Sequence, residues 1–257
     1  MSFTQRLQIP IWREGRIAVE RAALMRDPVL RGEGVDRGAG EPVLLIPGFL
    51  AGDLSLGIMA RWLRTIGYRP TRARIRANID CTEKVLGRLD ALLEGAAERH
   101  GRKVSIVGHS RGGTMARVLA VRRPDIVRGI VCLGSPLADQ LDVHPLVRGQ
   151  VRMVATLGSL GVPGLFTHGC RTGCCVEAMG EVLAPFPEGV GFTSIFSRSD
   201  GVVAWRACLD PAAQQVEVGS SHVGMAVNPQ AYRAIAAALR AGGERGDAAA
   251  QMTGAAA

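Results

Sequence analysis

Between residues 103 and 122 the chain passes from a short apolar run, Lys103-Val-Ser-Ile-Val107, into a glycine-flanked corner, Gly108-His-Ser-Arg-Gly112, and out into a helix-like stretch over 111–122. So short a corner permits only a tight strand-to-helix turn. A second apolar run at 127–133 follows directly, closed by Gly134-Ser135-Pro136. A strand, a helix and a returning strand at that pace form a right-handed parallel crossover.

The same rhythm recurs on either side. Pro42-Val-Leu-Leu-Ile46 reads as a core strand stopped by Pro47-Gly48, and a second strand candidate lies at 70–75. Residues 81–99 place Val85, Leu89, Leu92, Leu93 and Ala96 at helical spacing, with Gly101 as the C-cap. Strands are expected again at 191–196 and 215–218, then a helix over 229–241. The fold class is therefore α/β, a mostly parallel central sheet with helices on both faces. A chain of 257 residues suits one such domain. We expect a moderately amphipathic helix at 13–25 and a flexible glycine-rich lead-in within 1–41, the α/β domain over 42–241, and a disordered Ala/Gly-rich tail at 242–257. Within the domain, 137–188 breaks the rhythm and reads as a short cap insert.

The net charge of +8 raises the question of nucleic acid. The positive charges are nearly all Arg, with Lys only at 84 and 103, and are spread along the chain without basic runs interleaved with aromatics. That pattern describes a solvated surface and excludes a nucleic-acid partner; it leaves room for peripheral contact with an anionic lipid surface. No stretch approaches the ~18 apolar residues of a membrane span, and the N-terminus has no apolar signal core of ~7–15 residues, so a cytoplasmic location is expected.

The corner at 108–112 is a G-x-S-x-G sequence in the context that gives it meaning, after a strand and before a helix. The glycines leave room where a Cβ would strike the neighbouring strand or helix, and the turn lifts the Ser110 hydroxyl toward free helix amides. A hydroxyl needs a base, and five histidines compete. His100 ends a helix, His109 sits inside the corner, and His144 and His168 fall in the insert. His222, after the last strand and before the last helix, is the base. The acid that orients it should follow a late strand. Asp200, after the strand at 191–196, fits better than Asp210, a turn-initiating residue before Pro211, or Glu217, within a strand. An oxyanion needs two backbone donors, assigned to Arg111 and to Phe49 in the loop after the first core strand.

Together, Pro47-Gly48-Phe49, Gly108-His-Ser110-Arg-Gly112, Ser197-Arg-Ser-Asp200-Gly201 and Ser221-His222-Val-Gly224 resemble a bacterial lipase or esterase of the α/β-hydrolase superfamily over residues 42–241. The resemblance implies the triad Ser110–Asp200–His222 and an acyl-enzyme mechanism on an apolar acyl ester or lipid. A departure is Pro47-Gly48 where many lipases have His-Gly, which bears on the subfamily and not on the mechanism. The alternatives are a thioesterase or acyltransferase on the same fold, or a non-catalytic hydrolase-like binding protein. Leu50, Leu165 and Phe166 are expected to contact substrate, with apolar residues between Leu157 and Phe166 forming a loop-like lid. No cofactor and no metal is implied by the chemistry. The run His168-Gly-Cys170-Arg-Thr-Gly-Cys174-Cys175 stays open between zinc held with His168, a disulfide that could reach Cys208, and unpaired structural thiols.

Overall fold

Runs that are apolar at every position can satisfy both faces only in the middle of a covered sheet. Four runs come close to this and are buried almost throughout: β1 (Pro42–Ile46), β3 (Val104–His109), β4 (Val127–Leu133) and β5 (Gly191–Phe196), with Ser105, His109, Arg128, Thr193 and Ser194 as their polar members. They form the centre of a six-stranded, wholly parallel sheet in the order β2-β1-β3-β4-β5-β6. The edges are β2 (Arg69–Arg72) and β6 (Gln214–Glu217), short and polar, which blunts them against pairing with another chain. The computed structural model describes the backbone of residues 9–254 and the side chains of residues 9–242.

Alternation along β1 divides the core. Val43 and Leu45 face α1 (Ile17–Arg26), α2 (Gly57–Thr65) and α7 (Pro229–Gly254), in a cluster with Leu24, Trp62 and Tyr232. Leu44 and Ile46 face α3 (Thr82–His100) and α4 (Arg111–Arg122), packing with Leu86, Leu89, Met115 and Ile106. Trp62 closes the first layer: its ring lies 4.5 Å from that of Tyr232, and its Nε1–H donates to the Val29 carbonyl at 2.8 Å.

Several boundaries differ from the expectation. β2 ends at Arg72 because the chain turns at Arg74, where φ is 58°. The stretch at 32–41 is hydrogen-bonded, with the Gly38 and Gly40 amides donating to the carbonyls of Ile66 and Gly67 at 2.8 and 2.9 Å. The insert 137–188 contains α5 (Pro145–Ser159) and α6 (Val176–Glu181), so it is partly helical; of the loop-like lid expected at 157–166, 157–159 form the end of α5 and the rest is turn. Pro145 starts α5 at a position that needs no amide, and Nδ1 of His144 accepts the Leu146 amide at 3.2 Å. Gly158 lies inside α5 because the Phe166 backbone passes against it, leaving no space for a Cβ. Helix α7 continues to Gly254, past the expected end at 241; the tail expected at 242–257 thus begins within a helix, and 255–257 lie outside the described residues.

The strand order runs one way from β1 to β2 and the other way from β1 through β3. Ligands in such sheets bind beyond the strand C-termini at that reversal. The loop 47–52 leaves β1 there, and Ser110 follows β3.

Candidate active site

Ser110 joins β3 to α4 with φ 53° and ψ −122°, a left-handed conformation that costs energy in any residue with a Cβ. The neighbours hold it there. The Ser110 amide donates to the Leu133 carbonyl at 2.8 Å. A side chain at Gly108 would strike the Gly112 and Gly113 backbone, and one at Gly112 would strike the end of β1. Both glycines are thus fixed by close backbone approach.

His222 and Asp200 are both buried, and Nδ1–H of His222 donates to Oδ2 of Asp200 at 2.7 Å. Oδ1 of Asp200 accepts the amides of Val202 and Val203 at 2.8 and 2.7 Å, which fixes the carboxylate plane. Burial presses the imidazole toward its neutral form. The charge and hydrogen bond of Asp200 outweigh it, and the pKa lies above the usual histidine value. His109, the neighbour of Ser110, binds the same loop: its Nε2–H donates to the His222 carbonyl at 3.0 Å, and the two rings lie 4.9 Å apart. Burial, with His222 beside it, pushes His109 down to about 4 and keeps it neutral. Gly134, after β4, has φ +54°, and a Cβ there would lie 3.0 Å from Nδ1 of His222 and 3.1 Å from Oδ2 of Asp200.

The first helical segment braces this pair from behind. Oε1 of Glu14 accepts the amides of Gly201 (2.9 Å) and His222 (2.8 Å), and Oε2 accepts that of Val223 (2.9 Å). Glu20, buried in α1, accepts the Ser221 amide at 2.8 Å and the Ser221 hydroxyl at 2.7 Å. Gly201 does not adopt a left-handed turn; it is small because the Pro10 carbonyl and Glu14 approach it. Nothing local in the sequence links Glu14 or Glu20 to loops some two hundred residues away.

The rival acids and bases have other partners. Asp210 forms a buried ion pair with Arg117 at 2.7 Å, and Arg117 also donates to the carbonyls of Glu181 and Ala184, tying β6 to the end of the cap. Glu217 pairs with Arg198 on the surface. His144 caps α5, and Nε2 of His168 meets the Thr156 hydroxyl at 3.1 Å.

Ser110 opens onto a cavity of about 300 Å³ beneath the cap. Phe49, Arg111 and Phe166 line it, with Val147, Val151 and Ala155 of α5 on the cap side. The exposed Leu50, at φ 60°, and the half-buried Leu165 are not among its walls. The Arg111 guanidinium turns away from Ser110, donating to the carbonyls of Asn78 and Asp80 and to the Thr82 hydroxyl at 2.7–3.0 Å, and lies 5.4 Å from the Phe166 ring centre. Phe49 follows Gly48, where a Cβ would stand 3.1 Å from that of Ser110.

A parallel six-stranded sheet with helices on both faces and a serine corner at its switch point is the arrangement of the α/β-hydrolase fold. The family description "PGAP1-like alpha/beta domain" matches residues 76–146, the segment that carries the serine corner. No curated protein matches the chain in sequence. Among solved structures, a metagenomic carboxyl esterase is similar at 15% identity, covering 95% of each chain with a TM-score of 0.58. A monoacylglycerol lipase from Paleococcus ferrophilus matches at 15% identity, covering 80% of this chain and 97% of its own, with a TM-score of 0.55. A soluble variant of monoglyceride lipase from Saccharomyces cerevisiae matches at 13% identity, over 80% of this chain and 86% of its own, also at 0.55. Sources this diverse tie the likeness to the fold and not to a bacterial branch. Among the described residues, no helix is long and apolar enough to cross a membrane.

Proposed function

We propose that the chain is a serine hydrolase cleaving carboxylic esters of apolar acyl groups through an acyl-enzyme. The reading rests on one juxtaposition. His222, in a buried pair with Asp200 at 2.7 Å, lies on a loop that His109, the residue before Ser110, holds through the His222 carbonyl at 3.0 Å, and Ser110 itself is held at φ 53° in the wall of a largely apolar cavity. Asp200 holds the proton on Nδ1 of His222, leaving Nε2 as the base. His222 takes the Ser110 proton as Oγ attacks the ester carbonyl, and the oxyanion is received by the backbone amides of Phe49 and Arg111. Arg111 suits this role because it opens α4, where amides have no helical partner. Collapse expels the alcohol, protonated by His222, and water then releases the acid by the same route.

A fluorophosphonate probe tests the nucleophile. The wild type should label and Ser110→Ala should not, while melting as the wild type does; labelling of the variant at full stoichiometry would remove Ser110 from the mechanism. A panel of p-nitrophenyl esters, acyl-thioesters and triglyceride emulsions then separates ester hydrolysis from thioester cleavage. A chain that neither labels nor turns over any of them is a binding protein on a hydrolase fold.

A further inference from the structure

Four of the six cysteines converge where the cap meets the body of the domain. Their Sγ atoms all lie within 4.8 Å of one another: Cys81 just before α3, Cys170 and Cys174 in the turn after α5, and Cys175 just before α6. Three of the separations are 3.3 Å for Cys81–Cys174, 3.4 Å for Cys81–Cys175 and 3.7 Å for Cys174–Cys175. Four sulfurs placed 2.3 Å from one zinc ion at tetrahedral angles stand about 3.8 Å apart. A disulfide joins two sulfurs and leaves the convergence of the other two without a reason. A multinuclear cluster would need its sulfurs spread more widely than these.

We propose that Cys81, Cys170, Cys174 and Cys175 form a tetrathiolate site for a single zinc ion that fastens the cap to the body beside the cavity. His168 is not needed, since Cys81 supplies the fourth ligand. The surroundings suit thiolates. Backbone amides at the start of α3 reach the sulfurs of Cys81 and Cys175, and the Thr167 amide donates to Cys170 at 3.4 Å. The Arg111 guanidinium lies within electrostatic reach of Cys81, Cys170 and Cys175, offsetting the negative charge that four thiolates leave around a divalent ion. Cys81 and Cys175 are buried, whereas Cys174 is exposed and offers an entry path. Binding replaces four S–H bonds with four Zn–S bonds and releases the protons to solvent, with no change of oxidation state. Because Cys170 and Cys175 also line the cavity, and Cys81 adjoins the Thr82 that holds Arg111, the ion would set the shape of the acyl site without touching the reacting atoms.

The test is metal analysis of the full chain, purified with reductant and without added metal or chelator. It should hold about one zinc per chain. After removal, the reduced apo-protein should take zinc back from a chromophoric chelator with a Kd below about 50 nM. Cobalt in its place should give thiolate charge-transfer bands and strong tetrahedral visible bands. Cys81→Ser with Cys174→Ser should abolish uptake, while Cys132→Ala, in the sheet core, should retain it. Zinc removal should also speed proteolysis around 160–175. If the double variant does not fold, the wild-type zinc content, competition and cobalt spectrum still decide. Weaker zinc binding, iron in place of zinc, or a mass showing a disulfide among these four cysteines in the reduced preparation overturns the proposal.

Discussion

Replacing Glu14 by Ala should strip three backbone amides of their acceptor at once, and those amides belong to the two loops that carry Asp200 and His222. A hydrogen bond to a charged group contributes about 1.5–3 kcal/mol, and a buried donor left alone loses a similar amount. The site is only half-buried, and water can reach the Val223 amide, so the three losses do not add in full. About 3 kcal/mol is the expected total. For a domain of this size each kcal/mol moves the melting temperature by about 2–4 °C, so Glu14→Ala should melt roughly 6–12 °C lower. The catalytic effect should fall on kcat, since Glu14 is not among the residues lining the cavity, and a shift of His222 by about 1 Å can cost on the order of 10²-fold. Glu14→Gln provides the control: its carbonyl oxygen can still accept the Gly201 and His222 amides, while its NH₂ faces that of Val223, so it should recover most but not all of both losses. The assays are chemical denaturation and steady-state kinetics on a p-nitrophenyl ester. An Ala variant that melts within about 1 °C of wild type with unchanged kcat, or a Gln variant as damaged as Ala, refutes the bracing argument.

Because the raised pKa of His222 must be passed before the base is free, kcat/KM should fall as pH drops through a value above the ordinary ~6.5. Asp200→Asn removes the charge that raises it; the acid limb should move down and kcat should fall steeply, about 10⁴-fold by analogy with the same change in a serine-protease triad. Asp210→Asn should do the opposite, leaving the pH profile in place while destabilising the fold by about 3–5 kcal/mol, because Arg117 then keeps a buried charge without its counter-ion. Along an acyl series from butyrate to octanoate, kcat/KM should rise by up to about fourfold per methylene, the equivalent of ~0.8 kcal/mol. Val151→Phe, which fills the cap side of the cavity, should flatten that rise, and an unchanged chain-length profile would place the acyl group elsewhere.

The elements whose evidence is local were open to reading from the sequence. Strands β1, β3, β4 and β5 show themselves because burial on both faces demands a largely apolar run, and the serine corner because its two glycines stand directly between such a run and a helix. Asp200 and His222 are nominated by position after late strands, an argument from topology that the 2.7 Å contact supports in geometry. The edge strands shifted by one to a few residues because a polar edge carries no periodic signal. The end of helix α5 is hidden because Gly158, inside it, stands close to Gly161 and Gly164, which lie outside it. Gly158 answers to the approach of Phe166, while Gly161 and Gly164 take positive φ in the turn that follows.

What the sequence hides is whatever two distant segments make together. Glu14 and Glu20 look like ordinary charges on a polar N-terminal helix until the fold lays that helix across the loops at 200–201 and 221–223. Cys81 looks like a residue before a helix, and Cys170, Cys174 and Cys175 look like an odd local run, until the cap brings the one to the others. In both cases groups distant in sequence meet only in the fold: Glu14 and Glu20 with the loops some two hundred residues on, and Cys81 with the three cysteines some ninety residues on. Such residues are best sought by asking which charged or thiol side chains a plausible topology would bury, and then which loops it would bring to them. By that question Glu20, on a helix whose Val19 and Met25 are exposed, is the anomaly that points to the loop carrying His222.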